Sequence, residues 1–341
     1  MKKAFFSIAI IFCFLNTLHA DINTRFTNNV YSEFGGNINS YNNLINGLNN
    51  NWTDGIMMQA DCLSAVNMFG NSIGNSQLRQ FSIGINFIPF ESDKTFTNQT
   101  LNGVKQFCYL NSYSFQFLGG FGFLDKFNFV FSAGFFGKMH TKPPAINGFN
   151  FSTKFHWNFL TLMFNENIGF EGFHLIVGIG FLYQDYEEYK PFDIASGYLP
   201  MFGDTLLYFD NSNGSIYFTN LNIKLKIFNF SPSLELAFFF RIYFVTIFFS
   251  SGMVLSVSDV KVNISSNVNI KYFPTGTPAG IDSVMIIDGK ISKVHVIPFI
   301  YLGLSFNIKK TVRIPIFFQI KWIQNERSAF FNLGIGVRLD F

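Results

Sequence analysis

The chain has little charge. Charged residues make up 13 % of its 341 residues, against about 25 % in an ordinary soluble chain, which is too few to wet a globular surface. It also lacks stacked apolar helices: the mean hydropathy is only +0.24, and Asn, Ser and Gly are spread throughout, which argues against a many-helix membrane protein. Catalytic signatures are missing too, with no HExxH, GxSxG, P-loop, CxxC or carboxylate-rich metal loop. The reading is therefore of a protein that is no enzyme and has no cofactor and no metal. The near balance of bases and acids, 24 against 21, gives no sign of nucleic-acid binding. What the chain has in quantity is Phe, 49 residues, with aromatics at 19 %, which excludes intrinsic disorder.

Residues 1–20 read as a removable signal peptide. Lys2 and Lys3 form the basic start, Ala4 to Leu18 an apolar stretch, and Leu18-His19-Ala20 a small-residue cleavage site. The apolar stretch falls short of the roughly 20 residues that a spanning helix needs, and Cys13 lies inside it, away from any lipid-attachment position. Cleavage after Ala20 starts the mature chain at Asp21; taking Lys2 and Lys3 from the 24 basic residues leaves 22 against 21 acidic ones. An exported compartment permits a disulfide between Cys62 and Cys108. Two unpaired thiols fit the sequence equally well.

The strongest pattern is a period of two at the C-terminus. Val312, Ile314, Ile316, Phe318, Ile320 and Trp322 share one face opposite Arg313, Gln319 and Lys321; Phe331, Leu333, Ile335, Val337, Leu339 and Phe341 then share a face opposite Asn332, Gly334, Gly336, Arg338 and Asp340. Each strand runs about a dozen residues, close to the ~9–11 of a tilted transmembrane strand. The period recurs in Phe149, Phe151, Phe155, Trp157, Phe159 and Met163, opposite Lys154 and His156, and in Phe173, Leu175, Val177, Ile179, Phe181 and Tyr183, opposite His174. Further strands are predicted at 77–90, 110–123, 127–139, 214–228, 233–241, 243–256, 259–273 and 293–308. Short links at 124–126, 165–167, 229–232 and 309–310 alternate with longer, breaker-rich ones at 91–109, 140–148, 185–213 and 274–292, as in outer-membrane barrels. The predicted fold is all-β: a transmembrane antiparallel up-and-down β-barrel of about 12 strands, within 10–14, over residues 77–341. Residues 21–76, Asn-rich through Asn51 with a short helix predicted in Gly55–Phe69, read as a periplasmic or lumen-plugging segment, or as a mobile leader.

With its signal peptide and its last strand, the chain resembles the outer-membrane β-barrel proteins of diderm bacteria. Gly336-Val337-Arg338-Leu339-Asp340-Phe341 looks like the terminal assembly signal of that class, carried by Gly336, Leu339 and Phe341, although Gly334 stands where the class usually has a polar residue. The resemblance implies an outer-membrane location, contact with outer-membrane lipid, and delivery by periplasmic chaperones to the barrel-assembly machinery. Trp52-Thr53-Asp54 and the segment after it are similar to the preface of long-chain fatty-acid channels, with no binding residue to carry across.

The inward face is where function is expected. Its predicted polar residues are Lys154, His156, His174, Lys224, Lys226, Arg313, Gln319, Lys321 and Arg338. The cations suit the ring charges of an anion-selective pore, or pair with acids such as Glu235 and Asp340 to fill a closed lumen. Phe136, Leu160, Leu162, Ile176, Leu182, Ile297, Phe299, Tyr301 and Phe317 are also predicted to face inward, more apolar surface than an open aqueous pore would carry. The first expectation is a channel or transporter for small or hydrophobic solutes, with the transported ligand unknown. The alternative is a structural or adhesive surface barrel acting through its loops.

Overall fold

The computed structural model describes residues 17–64, 81–91, 94–97, 105–108, 111–123, 126–138, 146–165, 167–190, 198–199, 203–204, 214–272, 274–277, 279–308, 311–323 and 328–341. The expected signal peptide up to Asn16, most of the expected long loops and His140 lie outside them, as do the side chains of Cys62, Cys108 and Phe136.

Strand β1 (Thr17–Phe26) and a 3-10 turn (Val30–Phe34) lead into helix α1 (Ile38–Ser64). Strand β2 (Phe81–Glu91), the small hairpin β3 (Lys94–Thr97) and β4 (Lys105–Cys108), then β5 (Asn111–Phe123), β6 (Phe127–Lys138), β7 (Ile146–Met163) and β8 (Ile168–Lys190) follow. After a second small hairpin, β9 (Tyr198–Leu199) and β10 (Gly203–Asp204), come β11 (Gly214–Phe230), β12 (Ser233–Ile242), β13 (Val245–Tyr272), β14 (Ile281–Ile308), β15 (Val312–Ile323) and β16 (Ser328–Asp340).

One antiparallel sheet of twelve strand segments closes on itself, since β16 pairs with β2 and β13 pairs with β14. The twelve segments form ten columns. β11 and β12 are one continuous column: β8 pairs first with Leu221–Phe230 and then with Ser233–Ile242 in the same direction. Ser231 and Gly180 exchange both backbone hydrogen bonds across the junction. The link expected at 229–232 is thus an irregularity inside a strand, because Pro232 removes one donor without turning the chain. The real hairpin is Tyr243–Phe244, with Tyr243 at φ +53°. The expected break at 256–259 is absent, and β13 runs through it.

The twelfth segment, β1, extends another column. β15 pairs with β14 from Phe299 to Ile308, and β1 pairs with β14 from Met285 to Val294, running in the same direction as β15. Without β1 this stretch of β14 would present an unpaired edge.

Outward side chains make an apolar belt around the ring, including Phe117, Phe135, Trp157, Val177, Leu302, Ile316 and Val337, each 39–53 % exposed. No soluble surface carries apolar area on that scale. Its upper limit follows the ladder through Phe181, Phe230, Val257 and Val294. From Val245 to Val257 is twelve steps of about 3.3 Å; at the usual tilt of about 40° these climb about 30 Å, the thickness of a hydrocarbon layer. Above the belt β8, β11, β13, β14 and β1 project onward, and the faces exchange character. Outside stand Asp185, Lys226, Lys261 and Lys290; inside stand Ile223, Leu225, Val260, Val262, Ile264 and Ile287, all buried.

Helix α1 covers that apolar inner wall. Leu44, Leu48, Trp52 and Ile56, four apart and therefore on one face, are fully buried, while Asn39, Asn42, Asn43, Asn46 and Asn50 are exposed. Asn37 caps the helix, its Oδ1 accepting from Ser40 N at 3.2 Å. The helix starts well before the expected Gly55, inside the Asn-rich stretch. Asn is a poor helix former, and packing of the apolar stripe overrides it. Ahead of α1, buried Glu33 holds the turn between β13 and β14: its Oε1 accepts from Thr277 N (2.9 Å) and Tyr272 N (3.3 Å), and its Oε2 from Thr277 Oγ1 (3.0 Å). The N-terminal segment thus sits at the end remote from the short hairpins and from Phe341.

Candidate functional site: the lumen

Within the belt, the inner face is crowded and polar. Lys154 of β7 and Glu235 of β12 form an ion pair at 2.9 Å with side chains 2 % and 0 % exposed. β8 lies between them, and its Gly178 makes the crossing possible: a Cβ there would collide with Lys154 Cγ and Ser233 Oγ. Neither charge reaches bulk water, so each depends on the other.

Next to the pair begins a girdle of rings on adjacent strands. His156 of β7 meets His174 of β8 edge to face at 5.9 Å, and His174 meets Phe239 of β12 at 5.0 Å. Phe239 lies 6.1 Å from Phe248 of β13, Phe248 lies 5.4 Å from Tyr301 of β14, and Tyr301 stacks on Phe317 of β15 at 5.7 Å. All six are buried. Edge-to-face and offset pairs at these distances are favourable beyond their area, so the girdle is a packed layer. Among the described residues no group of three or more His, Cys, Asp or Glu could hold a metal ion.

Toward the short hairpins lie two further charge groups. Glu171 accepts from Thr246 Oγ1 (3.1 Å) and pairs with Arg241 (3.3 Å). Asp340 lies between Arg313 (2.6 Å) and Arg338 (2.8 Å). Above the pair, Asn229 donates to Ser256 and Ser258, each at 2.8 Å, and beyond these the apolar wall meets α1.

Of the predicted inward residues, Lys154, His156, His174, Gln319, Lys321 and Arg338 are buried on the inner face, and Arg313 reaches Asp340 there. Lys224 and Lys226 are a correction. They stand outside, above the belt, with side chains 51 % and 59 % exposed, paired with Glu187 (2.7 Å) and Asp185 (3.7 Å). The period of β11 is genuine, but its polarity is inverted there, so that Ile223, Leu225 and Ile227 are the inner residues. Leu160 and Leu162 also face outward, 55 % and 51 % exposed, because irregularities after Asn158 and Leu160 shift the phase of β7 against β8. Ile176, Leu182, Ile297, Phe299, Tyr301 and Phe317 do face inward. Phe239 and Phe248 escaped the sequence reading because the run Leu234–Leu255 is apolar on both faces. Of the terminal-signal residues, Gly336 pairs with Asn86 in the ladder between β16 and β2, while Leu339 and Phe341 are exposed at the short-hairpin end.

No family model matches the sequence, and no curated protein matches it. Solved structures with a similar fold include the outer membrane protease OmpT of Escherichia coli, at 8 % identity and a TM-score of 0.38 over 77 % of this chain and 94 % of that one. They also include the attachment invasion locus protein Ail of Yersinia pestis, at 10 % and 0.26 over 78 % and 100 %. A third is the toluene transporter TodX of P. putida, at 7 % and 0.28 over 79 % and 91 %. All are outer-membrane β-barrel proteins. At these values the likeness concerns the type of fold alone.

Proposed function

We propose that this outer-membrane-type β-barrel is sealed, and that it works through its long-hairpin end rather than by passing solutes. The observation that carries this is the ion pair Lys154–Glu235, buried in the lumen with neither charge reaching water. A hydrated pore would leave such charges solvated. The ring girdle, the Arg313–Asp340–Arg338 group and α1 add three more filled layers. Of the two expectations from the sequence, channel and surface barrel, this arrangement favours the second.

The proposed location is the outer membrane. It is supported by the apolar belt and by the leader, whose removal after Ala20 would leave Asp21–Phe26 of β1 still paired with Met285–Lys290. Chaperones and the barrel-assembly machinery are the proposed partners of biogenesis, on the strength of the exposed Phe341 and the Gly336–Phe341 motif. Structural or adhesive roles then fall to the projecting sheet β8–β11–β13–β14–β1 and the helix it carries.

The test is solute efflux. Vesicles containing the refolded chain and loaded with a small sugar should retain it like protein-free vesicles. Efflux that scales with the amount of folded barrel would overturn the proposal.

A further inference from the structure

Four ionisable side chains meet at one place on the lumen wall. Three successive ladder rows across β7, β8 and β12 read Lys154, Gly178, Ser233; then His156, Ile176, Glu235; then Asn158, His174, Ala237. Glu235 thus shares a row with His156 and stands one row from both Lys154 and His174. Both imidazoles are fully buried, their rings meet edge to face at 5.9 Å, and neither nitrogen of His174 has a hydrogen-bond partner among the described residues.

The charges around the two rings are already matched. Lys154 pairs with Glu235 at 2.9 Å, and toward the short hairpins Arg241 pairs with Glu171 at 3.3 Å. The flanking strands β6 and β13 bring Asn128, Phe248 and Ser250, which carry no charge. Farther off, Lys321 of β15 shares the row of Glu235 across Phe299 and Gly252, and His295 and Lys293 of β14 stand two and three rows higher.

With both imidazoles neutral the group is balanced. A proton on His174 makes a buried cation that competes with Lys154 for Glu235, and a second proton on His156 sets a like charge beside the first; both arrangements are costly away from water. Repulsion then drives the two rings apart. His174 is the link between His156 and Phe239 in the girdle, so the girdle parts at that point. The wall behind it has space: the inner positions Gly172, Gly178 and Gly180 of β8 have no side chains, His174 Nε2 lies over Gly172, and Lys154 crosses Gly178. Withdrawal of His174 and Lys154 uncovers this strip of backbone.

We propose that the barrel is an acid-gated anion pore, sealed at neutral pH and opened when His156 and His174 take up protons. The proposal rests on the sealed-lumen reading and adds an activity to it. Histidine suits the role because its charge changes between about pH 5 and 8. Two imidazolium groups and Lys154 then border the passage, and a ring of cations favours anions.

The experiment records the refolded chain in planar bilayers while the pH is lowered from about 7.5 to about 4, a range that spans histidine and carboxylate titration. The wild type should be silent at the start and show anion-selective openings in acid that close again when the pH is restored. His156→Phe/His174→Phe keeps two rings in the layer and His156→Gln/His174→Gln keeps two polar groups; neither pair can take a proton. Heat-modifiable gel mobility shows which of them folds, and the conductance of a folded double variant should not change with pH. Acid openings in a double variant equal to those of the wild type would assign the response to carboxylates such as Glu235 and overturn the proposal, as would a cation-selective acid current. A folded wild type that stays silent at every pH would also overturn it and leave the sealed lumen standing, whereas openings already present at neutral pH would overturn the sealed lumen itself.

Discussion

Lys154 on β7 reaches over Gly178 of β8 to Glu235 on β12, closing a 2.9 Å ion pair inside the barrel wall. Removing one member leaves the other buried and uncompensated, which typically costs about 3–5 kcal/mol, whereas replacing both by apolar residues of similar size is often neutral. Glu235→Leu and Lys154→Met should therefore each destabilise the barrel by about that amount, and the double variant should recover most of the loss. Urea unfolding of the four proteins in vesicles checks this. Additive losses would mean that the two side chains are not coupled.

The belt has a defined upper edge, and charge should be tolerated on one side of it only. Val337→Arg, on the outer face within the belt, should lower barrel stability by about 2–4 kcal/mol and with it the yield of folded protein. Asn263→Arg, outward but above the belt, should be neutral. The fraction with heat-modifiable gel mobility after refolding reads both. Equal yields would place the edge wrongly.

Glu33 receives three donors from the turn between β13 and β14, and Gly276 leaves the space for its carboxylate. A Cβ at Gly276 would collide with Glu33 Oε1. Gly276→Ala should therefore release the N-terminal segment while the ring stays closed. Hydrogen exchange should rise in residues 30–57 and remain unchanged in β15 and β16.

Trp52 is fully buried between α1 and the projecting sheet. Trp52→Ala should cost about 3–5 kcal/mol of the helix docking energy. Limited proteolysis should then cut α1 in the variant under conditions where the wild type survives.

Asp259 is held below the ordinary carboxylate range, first by the hydrogen bond from Ser292 and then by Lys290. A lowered value means that the folded state favours the charged form. The resulting stabilisation is complete above the ordinary carboxylate pKa of about 4 and fades as the pH falls through the folded value. Asp259→Asn should be slightly less stable than wild type at neutral pH, with the gap closing in acid. A gap that widened as the pH fell would reverse the sign.

How much of this was legible in the sequence varied with position. β15 and the described side chains of β16 were legible, because both strands lie within the belt, where outward residues are apolar and inward ones are mostly polar; Val337 outside and Arg338 inside follow from alternation alone. The same rule misplaced Lys224 and Lys226, since above the belt water lies outside and α1 inside, and the faces trade character without breaking the period. Pro232 read as a turn because a proline in a strand usually ends it, yet here the column continues past it. In Leu234–Leu255 Phe stands on both faces, so the girdle members Phe239 and Phe248 carried no phase signal. The pairing of Lys154 with Glu235, two strands apart, is a matter of register, which spacing along the chain does not encode.

The central claim is the sealed lumen, and single-channel recording of refolded residues 21–341 in a planar bilayer tests it most directly. The wild type should insert and remain electrically silent under applied voltage. Discrete, reproducible openings from the folded barrel, with a preference for one ion sign, would show that water and ions pass the Lys154–Glu235 pair and the ring girdle, and would contradict the account.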